Sequence, residues 1–429
     1  MTPVPGAAGR PGPRFPHRGP GWWRPAAAAL VLLAVVAAGT VLTLRRPPGL
    51  PASSRATSGT TLSGTPAPST DVSATTRPAA PAGRVLLVWT PGRLPDGVAE
   101  RVRRVRGVRA VTVVKGGLVE LAGSVGADGR TVERPRPGTT IPLEAIGVDP
   151  ATYPAVLAAP AKTGLAELGP GEALLGATSA RLRRLGPGGR LRLTPGGGGR
   201  GERWLTVAGV VDDSLVGAAE VAVNLTEARA AGIAMDRYLL LDYRGSRAAV
   251  AAGVRRALPS RLPVRLRGPG ETPFFRAGDA VLPQAMVKER FGEFSWGKGT
   301  GDGFGQDPAW VAARLATARV PILGRVRCNR ALLPALAGAM GELRRRGLAR
   351  LVDPKAYAGC WNPRLTRSRS GISRHAWGAA VDLNVAGNRP GHAQAEDPRL
   401  VEVMKRWGFT WGGRWLVPDP IHFEWLGTP

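Results

Sequence analysis

Residues 371–384 read GISRHAWGAAVDLN, and residues 418–425 read PDPIHFEW. The first stretch sets His375 seven positions before Asp382, among small residues, in a chain with four histidines in 429 residues. AAVDLN, at 379–384, reads as a short strand whose small side chains allow close backbone approach beneath a bound ion. IHFEW alternates, with Ile421, Phe423 and Trp425 on one face and His422 and Glu424 on the other. Two amphipathic segments are predicted to pack against these strands. ALLPALAGAMGELRRRGLARL, at 331–351, carries Leu332, Leu336, Met340 and Leu343 on one stripe, with Asn329 as a cap and Gly347 as a stop. DPRLVEVMKRWGF, at 397–409, opens on Asp397-Pro398, buries Leu400, Val401, Met404 and Trp407, and closes at Gly408. The expected fold is α+β, with a small antiparallel C-terminal sheet and packed helices.

Three nitrogen and oxygen donors with a fourth position open to water make a hydrolytic zinc site. His375, Asp382 and His422 supply such a set. Asp419 lies three residues before His422, between Pro418 and Pro420, where a carboxylate can take a proton from water and return it to a leaving amine. Glu424 shares a face with His422 and is the rival base.

Ser373, His375, Gly378, Ala380 and Asp382 match the signature S-x-H-x-x-G-x-A-x-D, and Asp419 with His422 match a following (Glu/Asp)-x-x-H. On these residues the C-terminal third, from VKERFGEF at Val287 to Trp425, resembles the zinc D-Ala-D-Ala carboxypeptidases. That family includes D,D-dipeptidases and the L-alanyl-D-glutamate endopeptidases of phage endolysins. The resemblance implies zinc held by His375, Asp382 and His422, with Asp419 as base. It also implies an upstream arginine that polarises the scissile carbonyl. Arg364 of CWNPRLT is the candidate, with Arg367 and Arg369 close by. Ser373 and Trp377, inside the signature, are candidate substrate contacts. Trp411, Trp415 and Trp425 read as core or groove walls, and His392 as a packed or surface residue.

Residues 26–44, AAAALVLLAVVAAGTVLTL, form an uncharged apolar run near the ~20 residues a helix needs to span a bilayer. Arg10, Arg14, Arg18 and Arg24 precede it against Arg45 and Arg46 after it, which predicts a cytoplasmic tail at 1–25 and export of the rest. Trp22 and Trp23 fit an interfacial anchor, and Ala37-Ala38-Gly39 leaves signal cleavage as the competing reading. Residues 45–83, rich in Pro, Ser, Thr and Ala, read as a linker. An exported chain meets an oxidising medium, so Cys328 and Cys360, which form no C-x-x-C, are expected to pair.

Residues 84–270 contain strand, helix and strand patterns twice, in RVLLVW, PDGVAERVRRV and VRAVTVV, and in YLLLDY, SRAAVAAGVRRAL and PVRLRG. They predict a middle α+β domain with split β-α-β units. Lys115-Gly116-Gly117, between VRAVTVV and LVELAG, reads as a hairpin turn. ALLGATSARLRRLGPGGRLRL and RWLTVAGVVDD read as a short helix followed by strands, and this section resembles the extracytoplasmic domains of macrolide-exporter-class ABC permeases. The glycine runs lack the Lys-Ser/Thr ending of a phosphate loop. A spacing or protein-partner role is expected for 84–270, and the zinc peptidase domain for 271–429.

The formal charge of +28 comes from 59 basic against 31 acidic residues, and only six of the basic ones are lysine. The charge is spread along the chain with no nucleic-acid-binding module, which favours an anionic membrane or cell-wall polymer over DNA. Together these features predict a single-pass membrane protein whose exported zinc peptidase domain cleaves peptidoglycan peptides. The other class of reading is a non-catalytic wall-binding or partner-recruiting protein that keeps the fold.

Overall fold

The computed structural model describes residues 84–160, 163–196, 201–299, 303–368, 371–386 and 396–427. The tail, the apolar run at 26–44, the linker, Arg369 and His392 lie outside them. Among the described residues no helix is long and apolar enough to cross a membrane.

The chain begins with β1 (Val85–Trp89), α1 (Val98–Arg103) and β2 (Val108–Val125). An insertion follows, comprising β3 (Thr131–Glu133), β4 (Thr139–Val148), α2 (Tyr153–Leu157), β5 (Glu172–Gly176), α3 (Ala177–Arg183), β6 (Arg190–Pro195), β7 (Arg203–Val211), β8 (Val221–Asn224) and α4 (Leu225–Ala230). The pattern then resumes with β9 (Asp236–Tyr243), α5 (Arg247–Ala257) and β10 (Arg265–Arg267). The strands lie in the order β10-β1-β9-β2, all antiparallel to their neighbours, so the two β-α-β units interleave. β1 is central and apolar throughout because both of its faces are covered. Leu86 and Val88 pack with Val98, Val102, Val250 and Val254 of the helices, while Val85, Leu87 and Trp89 pack with Tyr153, Leu240 and Phe275.

The hairpin expected at Lys115-Gly116-Gly117 is absent: β2 is one strand of 18 residues. Val108–Lys115 pairs with β9, Lys115–Leu121 with β4 and Val119–Val125 with β6, with a register shift at Val114/Lys115. A Cβ on Gly116 would come within 2.8 Å of Arg237 Cγ, so the glycine admits a close neighbour where the strand changes partner. Gly-Gly without an adjoining loop residue marks a change of strand partner here, not a reversal.

The C-terminal region contains α6 (Gln284–Phe291), β11 (Trp296–Gly297), β12 (Gly305–Gln306), α7 (Pro308–Arg314), the hairpin of β13 (Leu315–Val320) and β14 (Gly324–Asn329), and α8 (Leu333–Arg345). It ends with β15 (Ala380–Asp382), α9 (Pro398–Arg406), β16 (Phe409–Trp411) and β17 (His422–Trp425). The last three strands form an antiparallel sheet in the order β15-β17-β16, as the alternation of IHFEW predicted. Leu336, Met340 and Leu343 of α8 and Leu400, Val401 and Met404 of α9 bury against it with Phe409 and Phe423. Asn329 does not cap α8. Its Oδ1 accepts from Ala331 N at 3.1 Å and its Nδ2 donates to Trp377 O at 3.1 Å, which ties β14 to the signature segment instead. Gly347, at φ 67°, ends α8, with Leu348 N donating to Leu343 O at 2.8 Å. Asp397 caps α9 by accepting from Arg399 N at 2.8 Å.

The two regions are tied together. β11 pairs with β4, Trp296 opposite Thr140. Beside it, Lys288 Nζ lies 2.7 Å from Glu220 Oε1 and 2.6 Å from Pro142 O, and Arg183 Nη2 lies 3.2 Å from the same Glu220 oxygen. Arg183, Glu220 and Lys288 are all essentially inaccessible to solvent, and Glu293 bonds both cations. Buried ions tolerate only such a shared geometry, because removing one partner leaves an uncompensated charge. The network therefore fixes α6 against the middle region.

Candidate metal centre

His375 sits in a single 3-10 turn, Arg374–Trp377, that ends at Gly378 with φ 61°. A Cβ on Gly378 would lie 2.6 Å from Asn329 N, so both the left-handed backbone and the close approach of β14 require glycine in the signature. The chain then enters β15, where Asp382 stands directly opposite His422 of β17 and Ala380 opposite Glu424. Residues directly opposite on adjacent strands share a face, so this register brings together an aspartate and a histidine that are 40 residues apart. After Asp382 the chain turns away through Asn384 at φ 53°, a conformation asparagine tolerates.

His375 Nε2 lies 3.1 Å from Asp382 Oδ1, His422 Nδ1 lies 2.9 Å from the same oxygen, and the two ring nitrogens are 3.2 Å apart. Donors placed about 2.0–2.1 Å around a tetrahedral zinc stand about 3.3 Å from one another, so the spacing suits a small cation. The tautomers agree with it. His375 Nδ1 is 2.7 Å from Cys360 O, which can only accept, so the proton sits on Nδ1 and the Nε2 lone pair faces inward. His422 Nε2 is 3.4 Å from Glu424 Oε1, which turns the other nitrogen, Nδ1, inward. Burial works to raise the Asp382 carboxyl, but the bonds and charges of both histidines outweigh it and hold the group well below its usual range. Burial opposes protonation of His422, yet Asp382 and Glu424 push it up to about 10. Without a metal the cluster takes up a proton, and a metal ion would displace it. Two neutral imidazoles and a carboxylate, all with lone pairs converging, fit zinc, and these three are a possible metal-binding group among the described residues.

The site opens onto a cleft of about 440 Å³ lined by Asp382, Asp419, His422, Ser373, Arg364 and Arg367, among others. Asp419 is placed by Asp419 N donating to Gly412 O at 3.0 Å and by its own carbonyl accepting from His422 N at 3.2 Å. Its Oδ1 is buried and has no hydrogen-bond partner among the described residues. Burial pushes this carboxyl above its ordinary value; His422 and Arg367 oppose the rise and Asp382 adds to it. A carboxylate with one buried, unpartnered oxygen and a pKa raised by burial, beside three candidate metal donors, is suited to accept a proton from water. Glu424, the rival base, is buried against His422. Burial would raise its carboxyl, but the contact with His422 and the charges of Arg374 and both histidines hold it below the usual value. Its placement is that of a partner that orients a ligand.

Trp377 departs from its expected role. It is fully buried, its Nε1 donates to Gly292 O at 3.2 Å, and its ring packs 5.0 Å from that of Phe294. It belongs to the core and does not line the cleft. The turn that aims His375 at Asp382 and His422 swings the side chain two residues later to the opposite side. Trp415 lines the cleft, 5.2 Å from the His422 ring.

Cys328 and Cys360 form a disulfide, Cα to Cα 5.4 Å, between β14 and the loop whose carbonyl orients His375. Nothing in the sequence marks that carbonyl. Closing a loop across a separation of 32 residues contributes about 4 kcal/mol. A Cys328→Ser/Cys360→Ser variant is therefore expected to lose about that much in denaturant unfolding and to bind zinc more weakly in a metal titration.

A family model described as D-alanyl-D-alanine carboxypeptidase matches residues 366–425, the stretch that holds the three donors and Asp419. Two solved structures are similar to part of the chain. One is the periplasmic region of MacB from Actinobacillus actinomycetemcomitans, 9% identical, covering 43% of this chain and 88% of that one, with a TM-score of 0.29. The other is the extracellular domain of the noncanonic ABC-type transporter YknZ from Gram-positive bacteria, 11% identical, covering 43% and 99%, with a TM-score of 0.28. No curated protein matches the chain.

Proposed function

We propose that this chain is a membrane-anchored, exported zinc peptidase that hydrolyses the peptide stems of peptidoglycan. The observation that carries the reading is the convergence of His375, Asp382 and His422, their tautomers set by Cys360 O and Glu424, beside the buried, unpartnered Oδ1 of Asp419. The family match over 366–425 supports a peptidase of the D-alanyl-D-alanine carboxypeptidase kind. Zinc bound by these donors would supply a Lewis acid for the scissile carbonyl and lower the pKa of water.

This chain's residues supply the rest. Asp419 takes the proton of the attacking water and returns it to the leaving amine. Arg364, on the cleft wall, steadies the negative charge that develops on the carbonyl oxygen. Ser373, on the same wall, contacts the substrate. The run at 26–44 anchors the chain, with its N-terminus cytoplasmic, and 45–83 holds the catalytic region towards the wall. Residues 84–270 offer a surface for a protein partner.

The test is mass spectrometry of muropeptides incubated with the full, zinc-supplemented chain in detergent. Loss of a terminal D-Ala identifies a carboxypeptidase, and a cut between L-Ala and D-Glu identifies an endopeptidase. An unchanged spectrum refutes the peptidase reading and favours a wall-binding protein that retains the fold.

A further inference from the structure

The loop from β16 to β17, residues 412–421, brings both Asp419 and Trp415 to the cleft beside His422. Its ends are fixed within the C-terminal region. Trp411 Nε1 donates to Pro420 O at 2.7 Å, and the backbone nitrogens of Trp415 and Asp419 both donate to Gly412 O at 3.0 Å. Its middle is fixed by another part of the chain. Leu416 N donates to Asp279 Oδ2 at 2.6 Å, and Arg414 O accepts from Arg265 Nη2 at 3.2 Å. The Leu416 side chain packs on the core of the middle region, which contains Leu87, Trp89 and Phe275.

Asp279 stands at the join. It lies between β10 and α6, its side chain is 6% exposed, and its Oδ1 accepts from Arg265 Nη1 and from Arg267 Nη2, the latter at 2.6 Å. Both arginines are set by the middle sheet, because β10 pairs with β1, Arg265 opposite Trp89 and Arg267 opposite Leu87. One carboxylate oxygen thus grips the middle sheet while the other grips the loop. A charged acceptor makes the bond to Leu416 N stronger than a neutral one would. Asp279 and β10 lie outside the stretch 366–425 matched by the carboxypeptidase model, so a loop within the match is held by residues beyond it.

We propose that Asp279 is a positioning residue: through Leu416 N it sets the reach of Asp419 and Trp415 into the cleft, which makes the middle region a part of the site and not a spacer. This rests on the peptidase reading for what Asp419 does there. A base must lie within hydrogen-bond reach of the water it deprotonates, and a displacement of about 1 Å costs up to ~10²-fold in rate. Asp419 is three residues beyond the Leu416 anchor, with Pro418 between them. Proline fixes one backbone torsion of that short connection, so movement at Leu416 is passed on to Asp419.

The test uses the full, zinc-supplemented chain with muropeptides, read by mass spectrometry. Asp279→Ala is expected to lower kcat about 10- to 100-fold at unchanged zinc content. Asp279→Asn, which keeps an oxygen for Leu416 N, is expected to recover part of that loss. Leu416→Ala leaves the Asp279 ion pairs intact, which guards against a folding defect, and is expected to lower kcat in the same direction. The decisive comparison is made in the chain carrying Asp419→Ala. There either change is expected to lower the residual rate less than about threefold, because residues that act as one unit are not additive. An undiminished kcat in Asp279→Ala or Leu416→Ala, or an equal fold-loss with and without Asp419, overturns the proposal. A chain that hydrolyses nothing refutes the peptidase reading, and the anchor is then judged by amide hydrogen exchange. Asp279→Ala should speed exchange at Leu416 by at least ~10-fold while β17 and α9 keep their protection. Unchanged exchange at Leu416 overturns the anchor whether or not the chain is a peptidase.

Discussion

Replacing His422 with alanine is expected to abolish zinc retention and, with it, hydrolysis of muropeptides. Three donors are the minimum this kind of site offers, and His422 supplies one directly across the sheet from Asp382, Nδ1 to Oδ1 2.9 Å. Removing it leaves His375 and Asp382, two donors at 3.1 Å, and takes away the partner that fixes the Asp382 carboxylate. The rate should fall by at least ~10³-fold, the scale of losing a Lewis acid worth several kcal/mol. Atomic emission on the purified protein reads the metal, and mass spectrometry reads the product. A chelator should reproduce the loss in the unaltered chain, and added zinc should restore that chain but not the variant. Because the core around the sheet rests on α8, α9, Phe409 and Phe423, circular dichroism should show the fold retained. Full activity in the variant, or in the chelated protein, would rule out the metal site as the seat of the reaction.

Asp419→Ala is expected to lower kcat by ~10²- to 10⁴-fold while zinc content and peptide affinity stay unchanged. The basis is geometric: Asp419 lines the cleft, its Oδ1 is buried without a partner, and its backbone is pinned to Gly412 and His422. Glu424→Gln should behave differently. Glu424 acts through His422, so its loss is expected to weaken zinc affinity by ~10- to 100-fold, with the zinc-saturated rate changed far less. If Glu424→Gln lost kcat at saturating zinc and Asp419→Ala did not, the two roles would have to be exchanged.

Much of this site is legible in the chain because its logic is local. The spacing from Ser373 to Asp382 encodes a turn, a glycine that must be left-handed and a short strand, and each follows from nearest-neighbour sterics. The alternation of IHFEW marks which residues point with His422. Trp377 shows where local reading stops: one side of the turn meets Asp382 and His422 and the other meets Phe294, and only packing separates them. The same holds at Gly116–Gly117, where a turn signal lies inside one long strand because β4, β6 and β9 are all available to pair with it.

The sequence by itself named the candidate donors His375, Asp382 and His422 and the candidate base Asp419, and it determined the interleaved β-α-β units and the cysteine pair. Each depends on residue type at short spacing, on strand period or on the number of partners available. Tertiary structure alone decided that Glu424 and the Cys360 carbonyl orient the two histidines, and that Arg237 and Arg276 face the cleft over Asp382. The Glu424 and Cys360 contacts are set by how β17 and the 3-10 turn pack together, and Arg237 and Arg276 reach the cleft from more than 100 residues away, through a shared sheet edge and a buried ion network whose geometry no local pattern encodes.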